Sequence, residues 1–143
     1  SDGHQTQRAD RTLMLQCTSP FVNTDDIASV LGALDVYDSV FTAVPDHSFR
    51  WTRETDGSVT SLGHNISVPR VRRQELREVL RETGGVYGMR TSLFVDRGNR
   101  FCGRVGAVIS SPERSLEIDT WADLEIARSL AGRVDGAQLS ERQ

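Results

Sequence analysis

In "ERSLEIDTWADLEIA" (113–127), Glu117 and Asp119 stand two positions apart, immediately before a helix signal. Alternation along an extended chain puts both carboxylates on one side and Ile118 on the other. Like charges held this close repel, and a cation between them removes the cost. A solvated strand end beside a helix N-terminus accounts for the same pair. Thr120 and Asp123 have the spacing of a capping box and predict a helix over 120–131, with Leu124, Ala127, Leu130 and Ala131 inward.

The elements that must position this pair are legible in outline. "RTLMLQ" (11–16) reads as a strand that stops before Pro20. In "NTDDIASVLGAL", Ile27, Val30, Leu31 and Leu34 share one face of a helix over 24–34, with Thr24 as its cap and two acids in the first turn. "DSVFTAV" (38–44) is a second strand. Strand, helix, strand at this spacing is a βαβ crossover and predicts an α/β fold with a mostly parallel sheet flanked by helices. Ligands of such sheets bind at the carboxyl ends of strands, where Gln16, Thr18 and Ser19 lie.

The middle changes character. "SFRWTRETDGSVTSL" carries Asp56-Gly57 between two strand-like runs, a hairpin signal. The arginine-rich "HNISVPRVRRQELREVLRE" follows, and residues 46–82 together read as an excursion from the sheet. A strand resumes at 84–90, "TSLFVD" is a short helix, and "RVGAVIS" (104–110) is another strand. Residues 134–143 read as a loose tail.

At 143 residues, one domain is expected, and 37% hydrophobic with 26% charged residues suffices for a packed core. The net charge of −3 argues against general nucleic-acid binding. The five arginines between Arg70 and Arg81 have no interleaved aromatics on which bases would stack. All 17 basic residues are arginines, a side chain suited to bidentate contact with carboxylates and phosphates. Cys17 and Cys102 lack the spacing of a zinc site or a disulfide framework. Neither a membrane-length apolar run nor a signal-peptide pattern is present, so a cytoplasmic protein with no membrane partner is expected.

"LQCTSPF" (15–21), "RRQELREVLRETGGVYGMR" (72–90) and "GRVGAVISSPERSLEIDTWADLEIA" (103–127), with "HSFRW" between the first two, resemble the N-acylneuraminate cytidylyltransferase (CMP-sialic acid synthetase) family. The likeness covers nearly the whole chain. It implies a Rossmann-like nucleotidyltransferase sheet and transfer of CMP from CTP to a nine-carbon 2-keto acid, releasing pyrophosphate. It also implies Mg2+, a homodimer, and a dimerisation arm over 46–82. By the same resemblance Glu117 and Asp119 are the metal-binding, catalytic acids and Gln16 hydrogen-bonds the acceptor sugar. Tyr87 and Phe101 wall the sugar pocket, Arg73 reaches a neighbour's acceptor carboxylate, and Arg50 occupies a basic position.

The chain departs from the family pattern in several places. Cys17 replaces a proline, Thr83 an asparagine, Arg77 a proline, Cys102 an aromatic and Glu117 an aspartate. The family's Gly-rich phosphate loop has no counterpart, and the chain contains no lysine. The N-terminal half of the fold is therefore expected to be absent, and the chain alone to be inactive. A non-catalytic oligomerisation or regulatory fragment, and a cytidylyltransferase for an eight-carbon keto acid, are the alternative readings.

Overall fold

The computed structural model describes residues 9–67, 69 and 78–140, with the backbone alone for 133–140. The chain divides into two compact units, residues 1–44 with 82–143, and residues 45–81.

The first unit is built on a four-stranded sheet. Strands β1 (Arg11–Leu15), β2 (Ser39–Pro45), β5 (Leu80–Arg90) and β6 (Val105–Ile109) lie in the order β1-β5-β2-β6. β1 pairs antiparallel with β5, Arg11 opposite Arg90 and Leu15 opposite Val86. β2 pairs parallel with β6, Ser39 opposite Val105 and Ala43 opposite Ile109. Arg90 donates its N–H to the Asp38 carbonyl (2.9 Å) and Val86 to the Thr42 hydroxyl (3.1 Å), so β5 runs antiparallel to β2 as well. β1, β2 and β6 thus share one direction, as the βαβ reading requires, and β5 is inserted between β1 and β2 as a reversed strand.

Helix α1 (Thr24–Ala33) crosses from β1 to β2. Its cap is Asn23, one residue before the expected Thr24: the Asn23 side chain accepts from the Asp26 N–H (2.9 Å), and Asp26 reaches back to the Asn23 N–H. Asn is at least as good a cap as Thr, and the box needs an acid three residues on, which Asn23 has in Asp26. Val30 and Leu34 are fully buried and form the core with Val40 and Val86, joined by Leu13, Val22 and Ile27. Gly88 on β5 makes this close packing possible. A Cβ there would lie 2.6 Å from Val30 Cγ1 and 3.1 Å from Leu34 Cδ1.

The Asp26 carboxylate is buried at 5% exposure and receives the Ser110 hydroxyl (3.0 Å) and the Arg114 guanidinium (3.2 Å). Ser110 follows β6, and Arg114 ends a 3-10 turn, Pro112–Arg114. The start of α1 therefore holds the loop that leads to Glu117. Helix α2 (Thr91–Arg97) follows β5, and α3 spans Trp121–Ser140. α3 extends beyond the expected 131, into residues read as a loose tail, and Ala131, expected inward, is exposed while Ala127 is buried. No described helix is long and apolar enough to cross a membrane. The second unit contains a hairpin of β3 (Arg50–Arg53) and β4 (Val59–Leu62), antiparallel as the Asp56-Gly57 signal predicts.

The cap assignment and the buried pair make separate predictions. Thr24→Ala should change stability by less than about 0.5 kcal/mol, and Asn23→Ala should cost about 1 kcal/mol. Asp26→Ala removes the cap partner and leaves Arg114 unpaired, so it should cost more, on the order of 2 kcal/mol, given that Arg114 is partly exposed. Urea unfolding midpoints of the three variants would check this ranking; equal losses at Thr24 and Asn23 would contradict it.

Candidate acceptor site at the end of β1

β5 is irregular where it passes Gln16. Thr83 and Thr42 share a buried hydroxyl–hydroxyl hydrogen bond (2.7 Å), and the Thr83 hydroxyl also donates to the Thr42 carbonyl (3.2 Å). The Val86 N–H takes the Thr42 hydroxyl as its acceptor, and the Gly85 N–H takes the Thr83 hydroxyl (3.3 Å). Side chains thus satisfy backbone groups that the ladder would otherwise pair. Between them Gly84 has φ of +70°, open to glycine and strained for other residues. A Cβ on Gly84 would lie 2.6 Å from Glu117 Cδ and 2.8 Å from Gln16 Oε1, and closer still to Glu117 Oε1. The bare backbone of Gly84 is the floor on which Gln16 and Glu117 meet.

Two loops deliver these side chains. Gln16 follows β1 and donates its backbone N–H to the Gly85 carbonyl (3.3 Å). Glu117 lies in an irregular segment, rather than the expected strand, and the adjacent Ile118 N–H bonds the Thr18 carbonyl (2.8 Å). That bond ties the loop after β1 to the acidic segment. Asp119 is exposed at the start of α3, where its N–H, like that of Thr120, donates to the Asp123 carboxylate (3.1 and 2.8 Å). The Thr120 hydroxyl first, and these backbone donors next, hold the Asp123 carboxyl below the usual range. Glu117 turns to the floor, and Asp119 is exposed at a helix N-terminus whose dipole favours a carboxylate.

An aromatic wall stands beside the floor. Tyr87 is 4% exposed and meets Phe101 edge-to-face at 6.0 Å, and Phe101 meets Phe41 at 5.8 Å. The Tyr87 hydroxyl donates to Glu82 (2.7 Å). The Arg100 guanidinium lies 4.4 Å from the centre of the Tyr87 ring and 5.5 Å from that of Phe101. Burial first, then the hydrogen bond to Glu82 and its charge, push the Tyr87 phenol up to about 12; Arg100 opposes and Glu117 adds to the shift.

Four of the expected site residues, Gln16, Tyr87, Phe101 and Glu117, thus belong to one end of the first unit. Asp119 is next to it in sequence but faces solvent. Arg50 lies in the second unit, ion-paired with Asp46, whose carboxyl is lowered to about 2 chiefly by hydrogen bonds from Ser48. Arg73 lies outside the described residues. No group of three or more His, Cys, Asp or Glu side chains among the described residues is arranged to hold a metal ion. Both cysteines are free. A cavity of about 630 Å³, lined by Asp10, Arg11, Arg90 and Thr91 among others, lies at the opposite end of the β1–β5 ladder, away from these groups. Sequence reasoning missed Glu82, Gly84 and Arg100. The Gly84-Gly85 pair inside a strand was a usable signal for a bulge; nothing set Arg100 apart from the other arginines.

Tyr87 should ionise near pH 12 by ultraviolet tyrosinate absorbance, and Glu82→Gln should lower that value only in part, because burial, the larger cause, remains. Because the folded-state value is raised, the neutral phenol contributes its full stability below pH 10.0, and this is lost as pH rises to about 12. Gly84→Ala should cost on the order of 1–2 kcal/mol in thermal or urea unfolding from its positive φ alone. It should also displace the Glu117 carboxylate.

No family model matches the chain. Over 127 residues it is 29% identical to N-acylneuraminate cytidylyltransferase A of Danio rerio, an alignment covering 86% of this chain and 29% of the relative. Its fold matches the solved structure of a 4-diphosphocytidyl-2C-methyl-D-erythritolsynthase from Anaerococcus prevotii with a TM-score of 0.60 at 13% identity. That match covers 88% of this chain and 60% of the other. The chain thus spans less than a third of the curated relative and about three fifths of the solved one. In sequence it is similar to an N-acylneuraminate cytidylyltransferase, and in fold to the mixed α/β structure of a diphosphocytidyl-methylerythritol synthase.

Proposed function

We propose that the chain forms the acceptor side of a CTP-dependent cytidylyltransferase, a transferase that moves CMP from CTP to a sialic-acid-type nine-carbon 2-keto acid and releases pyrophosphate. The observation that carries this reading is the meeting of Gln16 and Glu117 over Gly84, beside the Tyr87–Phe101 wall. These are the positions that the resemblance assigns to the sugar and to the metal. The likeness to the Danio rerio cytidylyltransferase supports the same chemistry.

In this reading Gln16 holds a sugar hydroxyl by its amide, and the rings of Tyr87 and Phe101 pack against the apolar face of the sugar. Glu117 and Asp119 offer hard carboxylate oxygens, a donor set that fits Mg2+, which takes one or two carboxylates and completes its shell with phosphate oxygens and water. When bound, Mg2+ would neutralise charge on the transferring phosphoryl group. The second unit, with Arg50 and Arg73, is the dimerisation arm in this proposal, and the working enzyme is a cytoplasmic homodimer.

Phosphoryl-type transfer rests on holding and neutralising the phosphates. This chain has no lysine and no Gly-rich phosphate loop for that task. The purified chain should therefore release no pyrophosphate from CTP with N-acetylneuraminate and Mg2+. It should still bind N-acetylneuraminate at least about tenfold more tightly than the neutral N-acetylmannosamine, a difference of about 1.4 kcal/mol. Gln16→Ala should weaken that binding. Equal affinity for the two sugars in ligand-observed NMR, or CMP-sugar formation by the chain alone, would contradict the proposal.

A further inference from the structure

Two buried hydroxyls start a relay of hydrogen bonds that ends on the loops carrying Gln16 and Glu117. Thr42 of β2 and Thr83 of β5 are each 3% exposed, so neither can touch a bound sugar. With the Thr83 proton on the Thr42 carbonyl, the Thr42 proton bridges the two oxygens, which still accept the Val86 and Gly85 N–H groups. Gly85 passes the constraint on, because its carbonyl takes the Gln16 N–H. A second tie runs through Ser19, which is buried: its hydroxyl donates to the Thr83 carbonyl (3.5 Å) and its N–H to the Gln16 carbonyl (3.1 Å). Thr18, in the same loop, holds the Glu117 segment through the Ile118 N–H. There is little slack at Gly85, where a Cβ would lie 2.8 Å from Val22 Cγ2 and 3.3 Å from each threonine hydroxyl.

We infer that the Thr42–Thr83 hydroxyl pair positions the acceptor site, fixing Gly84 and Gly85 where Gln16 and Glu117 meet over them. The inference rests on the proposed acceptor site and adds two positioning residues that set its geometry without contacting the sugar. Both side chains are β-branched and stiff at χ1, so each hydroxyl stays where its strand puts it. The pair does more than fill the core. Valine at position 42 would keep the shape but leave the Val86 N–H without that acceptor and the Thr83 hydroxyl without its nearest partner. The strand can replace those bonds only by moving, and Gln16 is tied to the part that moves.

Three forms of the full 143-residue chain test this: unchanged, Thr42→Val and Thr42→Ser. In 1H–15N spectra without ligand, Thr42→Val should shift the Gln16 side-chain amide and speed hydrogen exchange at Gly85 and Val86. The Leu34 amide, bonded to the Val30 carbonyl in the core, should keep its protection and show that the variant is folded. Affinity of Thr42→Val for N-acetylneuraminate should fall about tenfold. Thr42→Ser keeps the hydroxyl and loses the methyl, and should restore most of that affinity. Thr83→Val, which takes the acceptor from the Gly85 N–H, should act in the same direction and replaces Thr42→Val if that variant does not fold. Unchanged binding in Thr42→Val, with the Gln16 amide unmoved, would overturn the inference. Equal losses in Thr42→Val and Thr42→Ser would overturn it too, by assigning the effect to packing of the methyl group. If the unchanged chain binds no N-acetylneuraminate, the acceptor reading fails, and the ligand-free shift of Gln16 still decides whether the pair holds that residue in place.

Discussion

The functional end of the sheet depends on an irregularity within one strand. β5 runs unbroken from Leu80 to Arg90, but at Gly84 it takes a positive φ, and the neighbouring Gly85 and Val86 N–H groups turn to threonine hydroxyls. The Thr42–Thr83 pair makes this tolerable: both side chains are buried, and each supplies hydrogen bonds to the irregular stretch. Unpaired, such groups would cost about 1–3 kcal/mol each. The irregularity leaves bare backbone at Gly84, and Gln16 and Glu117 come together over it.

A second constraint carries the acids to that patch. Asp26 serves at once as the third residue of the α1 capping box and as the buried partner of Ser110 and Arg114. The helix that covers the core thereby fixes the loop from β6, and the Ile118–Thr18 bond fixes its far side. Glu117 is held between these two ties without belonging to any regular element.

Much of the sheet could be read from the chain, and the reasons are local. Val30 and Leu34 at helical spacing, Asp56-Gly57 between two strand-like runs, and Thr120 three residues before Asp123 are signals of one segment's own geometry. The reversed insertion of β5 between β1 and β2 was not legible, since strand order depends on contacts distant in sequence. The α1 cap was misplaced by one residue because both Asn23 and Thr24 are capping types. In the site, Gln16, Tyr87, Phe101 and Glu117 came from a resemblance of motifs. Glu82 and Arg100 matter through what lies across from them, which a single chain does not spell out. The length of α3 was underestimated because apolar periodicity fades after Leu130 while the backbone stays helical to Ser140.

The central claim is that the floor at Gly84, with the side chains above it, is where an acidic sugar binds. The most direct measurement is a 1H–15N NMR titration of the chain with N-acetylneuraminate. The account predicts saturable shifts of the Gln16 side-chain amide, the Gly84 and Gly85 backbone amides and the Arg100 guanidinium signal. Shifts confined to Asp10, Arg11, Arg90 and Thr91, around the cavity at the other end of the sheet, would contradict it.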